Sequence, residues 1–424
     1  MNPTPSPSKV VAFIAIGVGG LLLLSGCAAA IGYLGLPVFA FGQDILTPQL
    51  GQMAAMFLGL ICGPLAIYHG FKSIANRPSR PFKLPPFYFF WIVFAIALGL
   101  GNVILNSRVA ANYLFPPIFL LGAALPTLAV VAWVARRLGW PLTWRQAALA
   151  LVSGSTLSIL VAIVIESSLS YIIYLLTAPL WFFGSFDPSP RFFLSPTVIL
   201  FLFITALQAP IPEEFAKALG LPLFGRGRIT NERQALLIGL ISGAGFAILE
   251  NMLYEGLYAQ YNGWSWGGVT LLRGIGAVLH TLCTAIVALG WFRMRTGGVG
   301  QLLKAYALAV GVHTLWNGGF AAFIYITGLD YYGGSSLNFY DTAIPTLLVV
   351  FLIGLSLALW WLLRRLVNNL SQGVEVELLS PTPARIPTRN LAGWAVASAF
   401  IIVPIGVAVG SAWPTLLQVL SLGR

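Results

Sequence analysis

Carboxylates and imidazoles interrupt four consecutive apolar segments in the second half of the chain. Glu213 and Glu214 lie in the first of these segments, Glu250 in the second, His280 in the third and His313 in the fourth. Each ionisable side chain near the centre of a bilayer costs roughly 2.5–3.5 kcal/mol. Such a set persists only where its members satisfy one another, and its usual purpose is catalysis or transport. The pattern therefore predicts a functional site within the membrane.

These side chains can supply the parts that peptide hydrolysis needs. A carboxylate of Glu213 or Glu214 can take a proton from water and return it to the leaving amine. The imidazoles of His280 and His313, with the amide of Asn317, can stabilise the developing oxyanion. Alternatively, Glu213, His280 and His313 can bind Zn²⁺ and leave a fourth position for water. The residues alone leave both mechanisms open, one with zinc and one with no cofactor.

Helical spacing assigns further residues to the same site. Glu213 and Lys217 lie four residues apart and therefore share a helix face, where the ammonium can offset a carboxylate. Glu214 is turned about 100° away, which predicts that only one acid of the pair faces the common centre. Pro210 and Pro212, just before the pair, interrupt the backbone ladder and indicate a hydrated cavity.

The next apolar segment carries small and polar residues along one stripe. Gly239 and Gly243 allow close helix approach, and Phe246 and Glu250 follow on the same line. Glu250 is expected either to take part in catalysis or to form an ion pair on the neighbouring helix. Its predicted ion-pair partner is Arg273. Asn251 is the remaining residue that is expected to support the site.

Membrane-spanning helices must position these residues. The chain of 424 residues is 58% hydrophobic and 8% charged, with a mean hydropathy of +0.87. Soluble domains carry about 25% charged residues. We therefore expect an all-α, polytopic membrane helix bundle with about 10–11 transmembrane helices. The candidate segments are 10–37, 51–71, 85–106, 112–135, 146–176, 193–224, 233–258, 267–292, 302–328, 341–363 and 391–420.

The distribution of charge predicts the topology of the bundle. Basic residues concentrate in the connections after the second, fourth, sixth, eighth and tenth segments. The positive-inside rule therefore places the N-terminus in the cytoplasm. Because the net charge of +11 is spread over these loops, it does not indicate a nucleic-acid partner. The expected partner is therefore the lipid bilayer.

The chain is expected to divide into a central functional core with flanking membrane helices. The predicted parts are N-terminal membrane helices (1–192), a catalytic-type core (193–328), an additional transmembrane helix (329–366), a cytoplasmic linker (367–390) and a C-terminal transmembrane helix (391–424).

Cys27 ends a sequence, Leu24-Ser25-Gly26-Cys27, that matches a bacterial lipobox. The apolar run continues to Phe41, whereas polar sequence follows a true lipoprotein signal. This favours an uncleaved first helix over a lipidated N-terminus.

Four motifs in order resemble the PrsW family of intramembrane proteases, which is related to the CAAX-protease and bacteriocin-processing membrane proteins. The family pattern is Glu-Glu-x-x-Lys, then Phe-x-x-x-Glu, then a helix with a single His, then a His followed by Asn. The CAAX branch would instead show Arg at Ala218 and His at Glu250. The resemblance covers roughly residues 200–320. The matching positions are Glu213, Glu214 and Lys217, then Phe246 and Glu250, then His280, then His313 and Asn317.

The resemblance implies proteolysis of a membrane-anchored substrate, with anti-sigma factors as the best-known substrate class. It also implies a multi-pass protein of the bacterial plasma membrane. Family members are commonly labelled metalloproteases, although related proteins are described as glutamate-dependent without a metal. The competing hypothesis is a proton- or solute-coupled transporter that uses the same Glu and His residues. Residues 1–190 contain no second Glu-Glu or His-x-x-x-Asn half of the kind that inverted repeats would produce.

Overall fold

The computed structural model describes residues 9–39, 46–75, 77–183, 196–221, 229–259, 263–333 and 339–371. Regular structure within these ranges is helical, apart from one isolated antiparallel bridge between Pro81 and Thr143. The predicted all-α class is confirmed. The predicted segment 391–420 and most of the predicted linker lie outside the described residues.

Fourteen helices follow one another within the described ranges. Two π-helical turns, Leu58–Cys62 and Gly154–Ser158, join α2 to α3 and α6 to α7. The helices are α1 (Lys9–Phe39), α2 (Leu46–Phe57), α3 (Gly63–Ile74), α4 (Phe87–Ile104), α5 (Arg108–Arg137), α6 (Trp144–Ser153), α7 (Ile159–Phe183), α8 (Pro196–Gln208), α9 (Pro210–Ala218), α10 (Glu232–Ala259), α11 (Gly263–Ile275), α12 (Val278–Gly297), α13 (Val299–Gly333) and α14 (Phe339–Ser371).

Seven stretches of the described chain are long and apolar enough to cross a membrane. They correspond to seven of the eleven predicted segments and confirm a multi-pass membrane bundle. The orientation of the N-terminus stays a prediction. The stretches are Gln52–Lys72, Phe87–Ile104, Leu114–Arg137, Trp144–Ile173, Glu232–Gly256, Gly263–Gly297 and Thr346–Ser371.

Two predicted segments are interrupted. The segment 193–224 divides at Ala209 into α8 and α9, because Pro210 lacks the N–H that would continue the ladder and its ring crowds the preceding turn. The segment 267–292 divides between Ile275 and Val278, so Arg273 and His280 lie on different helices. The single helix predicted for the segment 267–292 is therefore two consecutive helices.

Helix α10 forms the centre of the bundle. Its spanning stretch is 89% buried, whereas the stretches of α4 and α14 are only 22% buried and face outward. It packs against α5, α6, α11 and α12. Every site residue on α10 is therefore positioned by neighbours on several sides, as a membrane helix carrying polar groups requires.

Small residues set the distance between α10 and α12. A β-carbon on Gly239 would lie 2.7 Å from the carbonyl oxygen of Thr284, and one on Gly243 would meet the carbonyl oxygen of His280. Glycine at these positions lets the two backbones approach closely, as its stripe on α10 predicts. This approach brings the His280 side of α12 against the Glu250 side of α10.

Candidate active site

Helix α9 supplies two carboxylates and the cation that joins them. The Lys217 Nζ lies 2.8 Å from Oε2 of Glu213 and 2.8 Å from Oε1 of Glu214. All three side chains are buried. The prediction that only one acid faces the centre is wrong, because Lys217 lies three residues from one acid and four from the other. Both spacings place side chains beside each other on a helix.

His280, on α12, bridges this ion-pair group to Glu250 on α10. Its Nε2 lies 2.8 Å from Oε2 of Glu250, and its Nδ1 lies 3.0 Å from Nζ of Lys217. An ionised carboxylate only accepts hydrogen bonds and an ammonium only donates them. These two neighbours favour the tautomer that has the proton on Nε2 and the lone pair of Nδ1 on the Lys217 side.

His313, on α13, completes the cluster from the opposite side. Its Nδ1 lies 2.9 Å from Oε1 of Glu214 and donates to this carboxylate. Its Nε2 therefore carries a lone pair, lies 3.8 Å from Oε2 of Glu213 and has no hydrogen-bond partner among the described residues. The rings of His280 and His313 are nearly perpendicular, with centroids 4.8 Å apart.

A second row of contacts holds Glu250 in place. The Arg273 Nη2 lies 3.1 Å from Oε2 of Glu250, as the sequence predicts. The Arg273 Nε donates to Oδ1 of Asn251 at 2.7 Å, and the amide of Asn251 donates to the carbonyl of Ala123 at 3.1 Å. A series of three side chains, those of Asn251, Arg273 and Glu250, thus links the backbone of α5 to the imidazole of His280.

Phe246 closes the cluster on the apolar side. The Lys217 Nζ lies 4.1 Å from the centre of its ring, which is a cation–π distance. The ring also lies beside His280, with centroids 5.9 Å apart. The aromatic ring thus excludes water from one face of the ammonium, which strengthens its interactions with Glu213 and Glu214.

The charges of this network do not balance among its described members. Three carboxylates, Glu213, Glu214 and Glu250, face two cations, Lys217 and Arg273. With neutral imidazoles the network therefore carries one net negative charge. A buried group of this kind favours a further proton or a further cation.

Asn317 is the other predicted site residue on α13. It lies one turn beyond His313 on α13 and is half-buried, and the hydrogen bonds that join the described cluster residues do not include it. Its position beside the oxyanion stays a prediction.

Glu166 on α7 is a residue that sequence reasoning did not assign to the site. It is half-buried and interacts electrostatically with Glu213, Glu250 and Lys217. The sequence offered one indication, because Glu166 is the one acid that lies deep in an apolar segment of residues 1–190. Glu255, one of the buried acids on α10, lies beside Trp266 and Thr270 and interacts electrostatically with Arg273.

A family model described as PrsW family intramembrane metalloprotease matches residues 142–356. This stretch is just over half of the chain and contains every residue of the cluster. The chain belongs to the PrsW family of intramembrane metalloproteases. It is therefore a peptidase and a multi-pass membrane protein. Comparisons with curated proteins and with solved structures give no match.

The donor set of this PrsW-family chain fits a metal ion. Ligand atoms of Glu213, Glu214, His280 and His313 lie within 4.8 Å of one another. Two buried atoms of this set, Oε2 of Glu214 and Nε2 of His313, have no hydrogen-bond partner among the described residues. Imidazole nitrogen and carboxylate oxygen are ligands that zinc takes in proteins. The Lys217 ammonium, held by three of these residues, marks the place as one that binds positive charge.

Proposed function

We propose that this intramembrane protease is an endopeptidase that cuts a membrane-anchored protein at the cluster of α9, α10, α12 and α13. The proposed substrate class is that of anti-sigma factors, and the proposed location is a bacterial plasma membrane. One observation carries the mechanism: Oε2 of Glu213 lies 3.8 Å from the unpartnered Nε2 of His313. These two atoms can hold one water molecule between them.

Glu213 is the general base in this proposal. Its side chain is 7% exposed, whereas that of Glu214 is fully buried, so Glu213 is the acid of the pair that a substrate reaches. A carboxylate at this position takes a proton from the attacking water and delivers it to the leaving amine. General acid–base catalysis of this kind contributes about 10²–10⁴-fold to the rate.

Glu214 and Lys217 prepare the site for this step. Glu214 accepts from Nδ1 of His313 and thereby keeps the lone pair of Nε2 on the side of Glu213. The Lys217 ammonium holds both carboxylates in one place and offsets their mutual repulsion. The two residues act on the orientation and charge of the reacting groups.

Glu214, His280 and His313 are the residues that would hold a metal, and we propose Zn²⁺; Glu213 then stays free to act as the base. When bound, a zinc ion supplies a Lewis acid that lowers the proton affinity of water and polarises a carbonyl. His280 presents Nδ1 to that position because Nε2 is committed to Glu250. A carboxylate behind a ligating imidazole is the usual arrangement around zinc in proteins.

Glu250 is a positioning residue in this proposal. Its carboxylate is occupied by His280 on one side and by Arg273 on the other. The nitrogens of His280 and His313 that face the site carry lone pairs, so the donor to the developing charge on the substrate carbonyl is the amide of Asn317, which reaches it once a substrate separates the helices. Substrate entry requires displacement of α7 or α8, because both pack against α9, which carries the buried acids.

The test uses the full-length protein, purified in detergent, and a membrane-anchored reporter. We expect a strong chelator to reduce cleavage at least about 100-fold and Zn²⁺ to restore it, because a bound ion would supply the Lewis acid. Glu213→Gln loaded with Zn²⁺ should stay inactive. Cleavage that survives chelation yet needs Glu213 would reject the metal and keep the glutamate mechanism. Full cleavage by Glu213→Gln would reject the assignment of the base.

A further inference from the structure

A second pocket lies at the end of α3 and the start of α6 and shares no wall residue with the catalytic cluster. It has a volume of about 270 Å³ and opens between the end of α3, the chain that precedes α4 and the start of α6. None of the proposed catalytic residues lines it. Its wall consists of Leu65, Tyr68, His69, Lys72, Ser79, Arg80 and Trp144.

Backbone hydrogen bonds hold the wall of this pocket in one shape. The Trp144 N–H donates to the carbonyl of Arg80 at 3.0 Å, and the Arg145 N–H donates to Oγ of Ser79 at 3.1 Å. The Arg145 guanidinium also donates to the carbonyl of Arg77 at 2.9 Å. The Phe82 ring packs edge-on against Trp144, with centroids 4.8 Å apart. The backbone of the wall is therefore held by the fold, whereas the Arg80 side chain is exposed and that of Lys72 partly exposed.

The charge around the pocket is positive and has no acidic counterpart nearby in the chain. Lys72 and Arg80 line it, and Arg145 lies buried behind Ser79. Residues 45–165 contain no Asp or Glu. Two buried nitrogens, Nδ1 of His69 and Nε of Arg145, have no hydrogen-bond partner among the described residues. A concave site with these properties favours an anion that accepts several hydrogen bonds.

The position of the pocket fits the depth of a lipid headgroup. One spanning stretch ends at Lys72 and another begins at Trp144, so both ends of the pocket lie at a membrane boundary. Tyr68 and Trp144 are partly exposed beside it, and aromatic residues of this kind concentrate at membrane interfaces. Leu65 gives the wall an apolar side on which an acyl chain can lie. Basic pockets between helices bind anionic lipid headgroups.

We propose that this pocket binds a phosphate ester, and specifically the phosphodiester of an anionic phospholipid such as phosphatidylglycerol. Lys72 and Arg80 hold the phosphate oxygens, and Tyr68 and Trp144 flank the glycerol region. The bound lipid joins α3, which precedes the family match at residues 142–356, to α6, which lies within it. The lipid thereby fastens the N-terminal helices to the catalytic core.

Native mass spectrometry of the full-length protein tests this site, with phosphatidylglycerol and phosphatidylcholine titrated in parallel. We expect wild type to retain phosphatidylglycerol in preference, and K72Q/R80Q to bind it about 30-fold more weakly, from about 1 kcal/mol per basic residue. The charge-matched control is R136Q/K304Q, which removes one exposed Arg and one exposed Lys outside the pocket. It should bind like wild type.

Three results would overturn the proposal. The first is equal retention of both lipids by wild type, and the second is an equal loss of binding in K72Q/R80Q and R136Q/K304Q. The third is saturation of the pocket by inorganic phosphate without any preference for phosphatidylglycerol, which would assign the pocket to a free phosphate. If K72Q/R80Q does not fold, two other variants test the site. K72R/R80K keeps both charges and should retain the lipid. Ser79→Asp adds a carboxylate to the wall and should release the lipid. Retention by Ser79→Asp contradicts the assignment.

Discussion

Nε2 of His280 lies 2.8 Å from Oε2 of Glu250, and this contact decides which ring nitrogen is presented to the acids of α9. Arg273 contacts the same carboxylate oxygen at 3.1 Å and keeps it ionised and oriented. Glu250 thereby acts on the reaction through His280. This relationship leads to the first of four predictions.

Glu250→Gln should weaken zinc binding about 10–100-fold, because loss of a carboxylate behind a ligating imidazole reduces its basicity and its orientation. Zinc content measured at equilibrium with a competing chelator checks this outcome. Glu232→Gln is the matched control, since Glu232 pairs with Arg293 at 2.8 Å in a partly exposed position away from the cluster. Equal zinc affinity in all three proteins would show that Glu250 has no influence on the metal.

Glu213→Gln should abolish cleavage of a membrane-anchored reporter, with a loss of about 10²–10⁴-fold. The amide has nearly the same shape but cannot take a proton from water. The variant should accumulate in the membrane like wild type, because Gln still accepts a hydrogen bond from Lys217. Cleavage and protein level are measured in the same membranes, and Glu232→Gln again serves as control. Activity within a factor of three of wild type counts against Glu213 as the base.

Lys217→Met should destabilise the metal-free protein by about 3–5 kcal/mol, because two buried carboxylates lose their shared cation. Added Zn²⁺ should then stabilise the variant more than wild type, since the ammonium no longer competes for the same oxygens. Binding at one hundred times Kd contributes about 2.7 kcal/mol. The midpoint of thermal unfolding with and without Zn²⁺ measures both effects, and Lys304→Met, an exposed position on α13, is the control. An equal response to Zn²⁺ in all three proteins would contradict competition at this site.

Gly243→Ala should cost about 1–3 kcal/mol, because the new methyl group meets backbone and side-chain atoms of α12 that cannot move freely. Thr284 Oγ1 would lie 2.8 Å from the added carbon, and the His280 carbonyl would be closer still. Cleavage should fall as well, since the shift separates His280 from Glu250. Gly311→Ala, on α13, is the control because nothing lies within 4 Å of its added carbon. Thermal unfolding midpoints and cleavage rates check the pair, and equal effects would disprove the role of close approach.

The membrane class, most of the spanning segments and the identity of the clustered residues followed from the sequence. Composition decides that helices must lie in lipid, because a chain with 8% charged residues has too few to cover a soluble surface. Ionisable residues in those helices are costly alone. Glu213, Glu214, His280 and His313 could therefore be singled out without coordinates.

Only the tertiary structure decided how those residues meet. Helical spacing predicts which face of a helix a residue lies on but not how its side chain extends and bends. It therefore placed Glu213 and Glu214 on different faces, although both side chains reach Lys217. Pro210 marked the break at Ala209 in the sequence, but the break before Val278 depends on packing around the backbone and could not be located. The roles of the two nitrogens in His280 and His313 depend on partners from other helices. The sequence determines which buried charged groups need a partner, whereas the packing of the helices determines which partner each group contacts.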